Sequence, residues 1–575
     1  MRKRIALLLA LLLLAGLFPA AYADDAHSVE KREFTVYVGN IDETLTEPFP
    51  LYFLDGVNDL PYLEIDDLGE LIFFVNTTIN EDPNYGLSSH YDGDVVSFER
   101  ENGYTVEFDF AQDLIRFTDY NAFLHNSYDT TLIDVLTEPG VDEYGQAQLF
   151  QRDKKMSFDR YGDVKVFDLA AYDIDLVRVE DSYFVPLQTA NDIFFHPTAQ
   201  FGFLFNGEAI FYASEKTFYV NGEYTEYADL YYAAPTAQRS DALAEYGYNE
   251  LCMMLDNFYG LKDSHDIRSF AQTFWEIGFD EALRGNDPVD ADEALKQFVE
   301  YYLDDLHSGF HEFSYLSGRR AFDANNAMAN RKITENVETY SEAREAFYPD
   351  GCPGYEEVGN TAYITFDSFD SDYYGQAFYA GLEDGTIPDD TIGLIIYAHQ
   401  QITRPDSPVE NVVLDLSNNT GGAVDAAIFV LGWMLGEASF SVKDTCTGAM
   451  STSIYRSDVN LDREFDESDT VADKKLYCLI SPVSFSCGNL VPAALKSSQK
   501  VTLLGRTSGG GSCVVQPVSA AWGAMFQISG AQRMSFLKNG SFYDIDQGVD
   551  PDYYIDNISN FYNRQALTDY INNLF

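Results

Sequence analysis

The chain is short of positive charge. Among its 575 residues, 36 Lys and Arg stand against 93 Asp and Glu, a formal net charge of −57. Nucleic acids and anionic membrane surfaces are held chiefly through Lys and Arg that neutralise phosphates, so a chain this acidic is repelled by both. Cysteine is sparse as well. The six residues Cys252, Cys352, Cys446, Cys478, Cys487 and Cys513 follow no regular spacing, which excludes the dense disulfide framework of small secreted domains. Neither Cys-x-x-Cys nor His-Glu-x-x-His occurs, so a zinc site has no support. His307 and His311 are the only close pair among eight histidines, and Gly309 between them argues against a shared helix face. No metal and no other cofactor is expected. Beyond residue 23 no stretch approaches the roughly 18 apolar residues of a membrane span.

What the chain does have is core-forming material. It is 46% hydrophobic and 15% aromatic, with 40 Tyr and 43 Phe, whereas disordered acidic tracts are poor in both classes. At roughly 100 to 200 residues per domain, about three or four domains are expected. Residues 1–23 read as a secretory signal peptide: Arg2-Lys3-Arg4 is basic, Ile5 to Leu17 is almost unbroken apolar sequence, and Ala21-Tyr22-Ala23 fits a cleavage site. The alternative, an uncleaved anchor, asks a short apolar run to span a membrane. The expected location is secreted or extracytoplasmic, with association to the cell surface allowed. Oligomeric state cannot be read from the sequence.

Residues 24–235 alternate in short β-type runs broken by Gly, Asn and Asp. They contain an internal echo. Leu60-Pro61-Tyr62-Leu63 leading to Ile72-Phe73-Phe74 is matched by Asp181-Ser182-Tyr183-Phe184 leading to Ile193-Phe194-Phe195, with one common offset of 121 between Tyr62 and Tyr183 and between the two triplets. The echo predicts two copies of an α+β module, about 24–125 and 126–235; one β-rich domain with chance similarity is the alternative. From about 236 to 312 the apolar period becomes helical, as in Leu243, Tyr246, Leu251, Met254 and Leu255, within a segment 236–345 that carries His307. A polar stretch from about 314 to 345, too short for a PDZ-sized module, ends this segment. Residues 346–575 alternate buried-type strands with helices, which predicts an α/β layered core whose ligands gather where strands end and helices begin.

Three loops carry the chemistry. Asp415 to Gly422 is a strand end turning through Gly421 and Gly422 into a helix, and bare N–H groups at such a turn suit an anion or a developing oxyanion. Ser481 to Asn489 joins a strand to a helix through Ser484 and Ser486, where a serine either caps the helix or projects as a nucleophile. His307, after Asp305 and before Gly309, becomes a general base only with a partner.

The order Asp-x-His-Ser, strand-Asn-x-Gly-Gly, apolar-Ser-x-Ser-x-Gly-Asn and Leu-Leu-Gly-Arg-Thr-Ser-Gly-Gly-Gly resembles the carboxy-terminal processing (tail-specific) serine peptidases, over roughly residues 240 to 560. It is most similar to the tricorn-like and chlamydial branch, which uses a Ser-His pair and has no PDZ domain. The resemblance implies a crotonase/ClpP-like α/β core that cleaves peptide bonds through an acyl-enzyme, with a protein or peptide substrate. It puts the nucleophile at Ser486 and the base at His307. The turn that carries lysine in the Lys-dependent branch reads Ser508-Gly509-Gly510-Gly511 here. The orienting acid falls beside Ile545, so Asp546 is favoured over Asp544, two residues that would face one side of a strand. The oxyanion hole falls on backbone N–H of Cys487 with Gly421 or Gly422.

Three rivals remain open. Cys487 could itself be the nucleophile. The scaffold could be a catalytically inactive binding protein of the cell surface or wall, since lysine is missing and the acid is displaced. Asp458, Asp462, Asp466 and Asp469 could bind calcium, although their spacing forms no EF-hand and fits a solvated acidic face.

Overall fold

A computed structural model describes residues 27–45, 47–79, 85–101, 103–124, 149–152, 157–160, 162–198, 200–220, 223–321, 331–372 and 375–574. The signal-peptide segment lies outside the described residues. The chain is mixed α/β and has more than one hydrophobic core.

A six-stranded sheet organises the C-terminal part, in the order Tyr355–Val358, Thr361–Thr365, Asn411–Asp415, Lys475–Ile480, Val501–Gly505 and Tyr553–Tyr554. Its first pair is antiparallel and the rest are parallel. The period of two along each strand divides the apolar residues between two cores. Tyr363, Val413, Tyr477 and Leu479 face Tyr340, Phe561, Tyr562 and Leu567. Ile364, Val412, Leu414, Cys478 and Ile480 face a core shared with the helices Thr391–Thr403, Val424–Leu435 and Cys487–Ser498. Both faces are covered, which is why these strands read as nearly continuous apolar runs. Because Asn411–Asp415 and Lys475–Ile480 are parallel neighbours, the loops leaving their carboxyl ends emerge side by side.

The polar stretch ending at 345 contains a helix, Arg331–Glu345, that covers this sheet through Tyr340. With so few apolar positions its helicity depends on tertiary burial, which periodicity could not reveal.

A second, seven-stranded sheet joins parts of the chain far apart in sequence: Phe150–Arg152, Ser157–Arg160, Gly309–Glu312, Ala438–Asp444, Met450–Ser457, Cys513–Ser519 and Met525–Ser535. Gly309 lies opposite Gln527, so the loop before it is delivered to the C-terminal core. In the N-terminal region the two echoed segments are neighbours. Pro61–Glu64 pairs antiparallel with Ser182–Pro186, with Leu63 opposite Val185. Each strand runs into a short helix, Ile65–Phe74 and Leu187–Ala190, that ends in a π turn.

The C-terminal helix Arg564–Asn572 is locked to the sheet by charge. Arg564 is 4% exposed, donates to Asp415 at 2.7 Å and Glu356 at 3.0 Å, and lies over the Tyr363 ring. Removing one member of such a pair leaves the other charge buried and unpaired. Arg564→Leu should therefore lower stability by about 3–5 kcal/mol in chemical denaturation. A loss below about 1 kcal/mol, the range of an exposed pair, would contradict this role.

Candidate active site

The strand Lys475–Ile480 ends at Ser481, and the chain then makes a tight junction into the helix Cys487–Ser498. Ser481 and Ser484 shape that junction. The Ser484 hydroxyl is fully buried, donates to the Leu416 carbonyl at 2.6 Å and accepts from Ser481 N at 2.9 Å, so it is occupied in joining two loops. Ser486 differs. It is partly exposed and sits just before the helix at φ 55° and ψ −122°, a conformation that L residues adopt only when the surroundings enforce it.

The enforcement comes from backbone contacts among three loops. Ser486 N–H donates to the Gly510 carbonyl at 3.0 Å, Phe485 N–H to the Asn419 carbonyl at 3.2 Å, and Gly509 N–H to the Ser484 carbonyl at 2.8 Å. Glycine is required at the closest approach. Gly421 has φ +113°, and a Cβ there would lie 2.6 Å from Ser486 Cβ and 3.2 Å from its Oγ. Gly422 has φ +129°, and a Cβ there would collide with the Phe369 carbonyl. The two glycines differ in their donors: Gly421 N–H donates to Asn419 Oδ1 at 3.0 Å, whereas Gly422 N–H and Cys487 N–H have no acceptor among the described residues.

His307 is brought to these loops by the strand Gly309–Glu312. It is 5% exposed, its carbonyl accepts from Gln527 Nε2 at 2.6 Å, and its ring centroid lies 4.6 Å from that of Phe485, the residue before Ser486. A Cβ on Gly511 would lie 3.2 Å from its Cε1. His307 Nε2 is buried and has no hydrogen-bond partner among the described residues, so the imidazole does not bond the Ser486 hydroxyl through that atom. Burial lowers its pKa to about 4, against the opposing pull of the Asp305 carboxylate. The ring is therefore neutral, and able to accept a proton, throughout the neutral range.

The acids occupy a turn rather than the strand that the sequence pattern suggested. Ile545 O accepts from Gly548 N–H at 2.9 Å and from Asn489 Nδ2 at 2.9 Å, and Gly548 has φ +85°. In a turn, Asp544 and Asp546 need not face one side. Asp546 accepts from Ser512 N–H and Oγ at 3.2 and 3.1 Å, and its carbonyl accepts from Gly511 N–H at 3.0 Å, beside the His307 ring. Burial raises its pKa. Asp544 instead pairs with Arg533 at 2.6 Å. Neither carboxylate hydrogen-bonds His307 among the described residues.

Cys487 points elsewhere. Its thiol is 1% exposed, donates to the Gly422 carbonyl at 3.1 Å, and is pushed up to about 12 by burial and by the charge of Asp425. A thiol in that state is no nucleophile at neutral pH. His311 bonds Gln527 Oε1 at 2.7 Å. In the acidic loop, Asp458 and Asp469 accept backbone N–H groups of Asp462, Arg463, Val459 and Asn460. Sequence reasoning missed Phe485 as the ring against His307, Asn419 as the acceptor for Gly421, and the Tyr259–Asp305 contact at 2.8 Å. Asp305 sits in the quoted Asp-x-His motif, but nothing in the sequence signals its partner.

Residues 360–555 match the family described as Peptidase family S41. This part of the chain is a peptidase family S41 domain. The S41 domain includes Ser486, Gly421, Gly422, Cys487, Asp544 and Asp546, while His307 is supplied from outside the matched residues. Among solved structures, the photosystem II D1 C-terminal processing protease is similar at 17% identity, over 36% of this chain and 47% of that one, with a TM-score of 0.26; the chain thus spans about half of that protein. Mature CPAF matches at 12% identity over 58% of this chain and 97% of that one, with a TM-score of 0.39. The tricorn protease matches at 11% identity over 85% and 47%, with a TM-score of 0.31. The S41 assignment rests on the family match. Among curated proteins, none matches the chain.

The crowding at Gly421 predicts that Gly421→Ala costs about 2–4 kcal/mol through clash and strain. Gly540, at φ +76° with nothing within 4 Å of its would-be Cβ, is the control. Gly540→Ala should cost only about 1 kcal/mol. Thermal unfolding of the two variants checks this, and equal losses would remove the argument from close approach.

Proposed function

We propose that the protein is a secreted serine endopeptidase with a crotonase/ClpP-like core, acting on protein or peptide substrates through an acyl-enzyme on Ser486. The carrying observation is the enforced left-handed conformation of Ser486 at a helix start, facing glycine loops, with a neutral histidine packed against the residue before it.

In this reading His307 Nε2 removes the Ser486 proton as Oγ attacks the substrate carbonyl carbon, and the resulting imidazolium returns that proton to the leaving amine. A water then repeats the sequence to release the acyl group and regenerate the serine. The oxyanion is met by Cys487 N–H together with Gly422 N–H, because Gly421 N–H already has an acceptor. Asp546 is the orienting acid, since Asp544 is taken up by Arg533. Lysine has no part: the Ser508–Gly511 turn holds none, and Lys496 Nζ reaches the 550–552 segment instead, 3.5 Å from Asp552.

The second reading, an inactive binding protein of the cell surface or wall, is favoured by the unmade bond at His307 Nε2. Apo catalytic hydrogen bonds are often loose, which leaves the peptidase reading intact.

Ser486→Ala and His307→Ala should each lower hydrolysis of an unfolded protein substrate by about 10³-fold or more. Unchanged rates in both would show that Ser486 and His307 are not the catalytic pair, whereas no hydrolysis by the wild type and no fluorophosphonate labelling of Ser486 in folded protein would favour the binding reading. The depressed pKa of His307 also sets a pH profile. The base loses activity only on protonation, so kcat/KM should hold from neutral pH down to about 5 and fall through about 4. An acidic limb near the ordinary histidine value of about 6.5 would contradict the depression of His307 by burial.

A further inference from the structure

The loop that carries His307 is strained on both sides of Asp305. Asp304 has φ 43° and Leu306 has φ 66°, and neither is glycine. Left-handed residues of this kind cost about 1–2 kcal/mol each and persist only where other contacts hold them. The holding contacts converge on one side chain. Asp305 Oδ1 accepts from Ser308 N–H at 2.6 Å, and Oδ2 accepts from the Ser308 hydroxyl at 2.9 Å and the Tyr259 hydroxyl at 2.8 Å. Ser308 Oγ accepts in turn from Ser529 N–H at 3.1 Å, on the strand that receives the loop. Tyr259 is anchored independently. It closes the helix Asp241–Phe258, and its neighbour Gly260 donates to the Ser529 carbonyl at 2.8 Å.

We infer that Asp305 is a second positioning residue for His307, beside Asp546, with Tyr259 as the clamp that holds it. Two effects follow from one carboxylate. Its three accepted hydrogen bonds fix the turn from which the imidazole projects, and its charge lies close enough to favour the imidazolium that forms during proton transfer. The other titratable groups around this cluster are His265, whose Nδ1 lies 3.2 Å from the Tyr259 hydroxyl, Cys513 and Asp546. Asp546 accepts from Ser512 N–H, so the two carboxylates hold different loops. The assignment goes beyond the peptidase reading and rests on it.

The test uses the full chain with Asp305→Asn, Tyr259→Phe and the double variant, assayed on an unfolded protein substrate. Asp305→Asn should lower kcat by about 10- to 100-fold, the scale of a displaced catalytic group, with KM changed less than about twofold, and should move the acidic limb to lower pH. Tyr259→Phe should act in the same direction more weakly. The double variant should be no worse than Asp305→Asn alone, because both act through one contact. Fluorophosphonate labelling of Ser486 counts intact sites, and if Asp305→Asn folds poorly, the loss of one hydroxyl in Tyr259→Phe carries the test. Wild-type kcat and acidic limb in both single variants, alongside lost hydrolysis in Ser486→Ala, would overturn the inference while sparing the peptidase reading. Full hydrolysis by Ser486→Ala would overturn both.

Discussion

Three loops meet backbone against backbone, and the site depends on that contact. The Asn419–Gly422, Ser484–Gly488 and Ser508–Gly511 segments exchange main-chain hydrogen bonds, with glycine wherever a Cβ would intrude. A serine placed there has no room to relax into an ordinary conformation, so Ser486 keeps its left-handed backbone. The parallel pairing of Asn411–Asp415 with Lys475–Ile480 brings two of the loops together, and Ser484 fastens them by reaching the Leu416 carbonyl. The third is held against them through the Ser508 hydroxyl, which donates to Asn489 Oδ1 and accepts from Val549 N–H.

Burial then sets the chemistry. The chain carries a net charge of −57, yet His307, Cys487 and Ser484 lie almost out of solvent. For His307, burial disfavours the charged ring more than the nearby Asp305 carboxylate supports it, which leaves a neutral imidazole. For Cys487 the same effect keeps the thiol protonated and silent. One physical cause thus leaves the His307 ring neutral and the Cys487 thiol protonated. Most of the acidic excess lies outside this cluster, where it bears on solubility and encounter.

Much of this was legible in the sequence. Gly-rich turns after apolar runs located the strand ends at 415 and 480, and the motifs named Ser486 and His307, which the fold brings to neighbouring loops. The echo between residues 60–74 and 181–195 falls on two strands that pair with each other, each followed by a short helix. The helix Arg331–Glu345 was hidden because its apolar face is narrow and only the sheet beneath it makes it stable. The strand expected around the acids is a turn, which has no period, so spacing from a glycine left Asp544 and Asp546 both open.

By itself the sequence determined composition, alternation and the local chemistry of each loop: an acidic, aromatic-rich α/β chain with a serine at a strand-to-helix junction and a histidine far upstream. Those properties depend on neighbouring residues, and neighbours are what a sequence records. Tertiary structure alone decided that the strand Gly309–Glu312 docks on Met525–Ser535 and carries His307 to the Phe485 ring. It also decided that Gly421 N–H has a partner, that Asp544 belongs to Arg533, and that Tyr259 clamps Asp305. Each of these joins residues widely separated along the chain or turns on the direction of a single bond, and both are fixed only when the cores close.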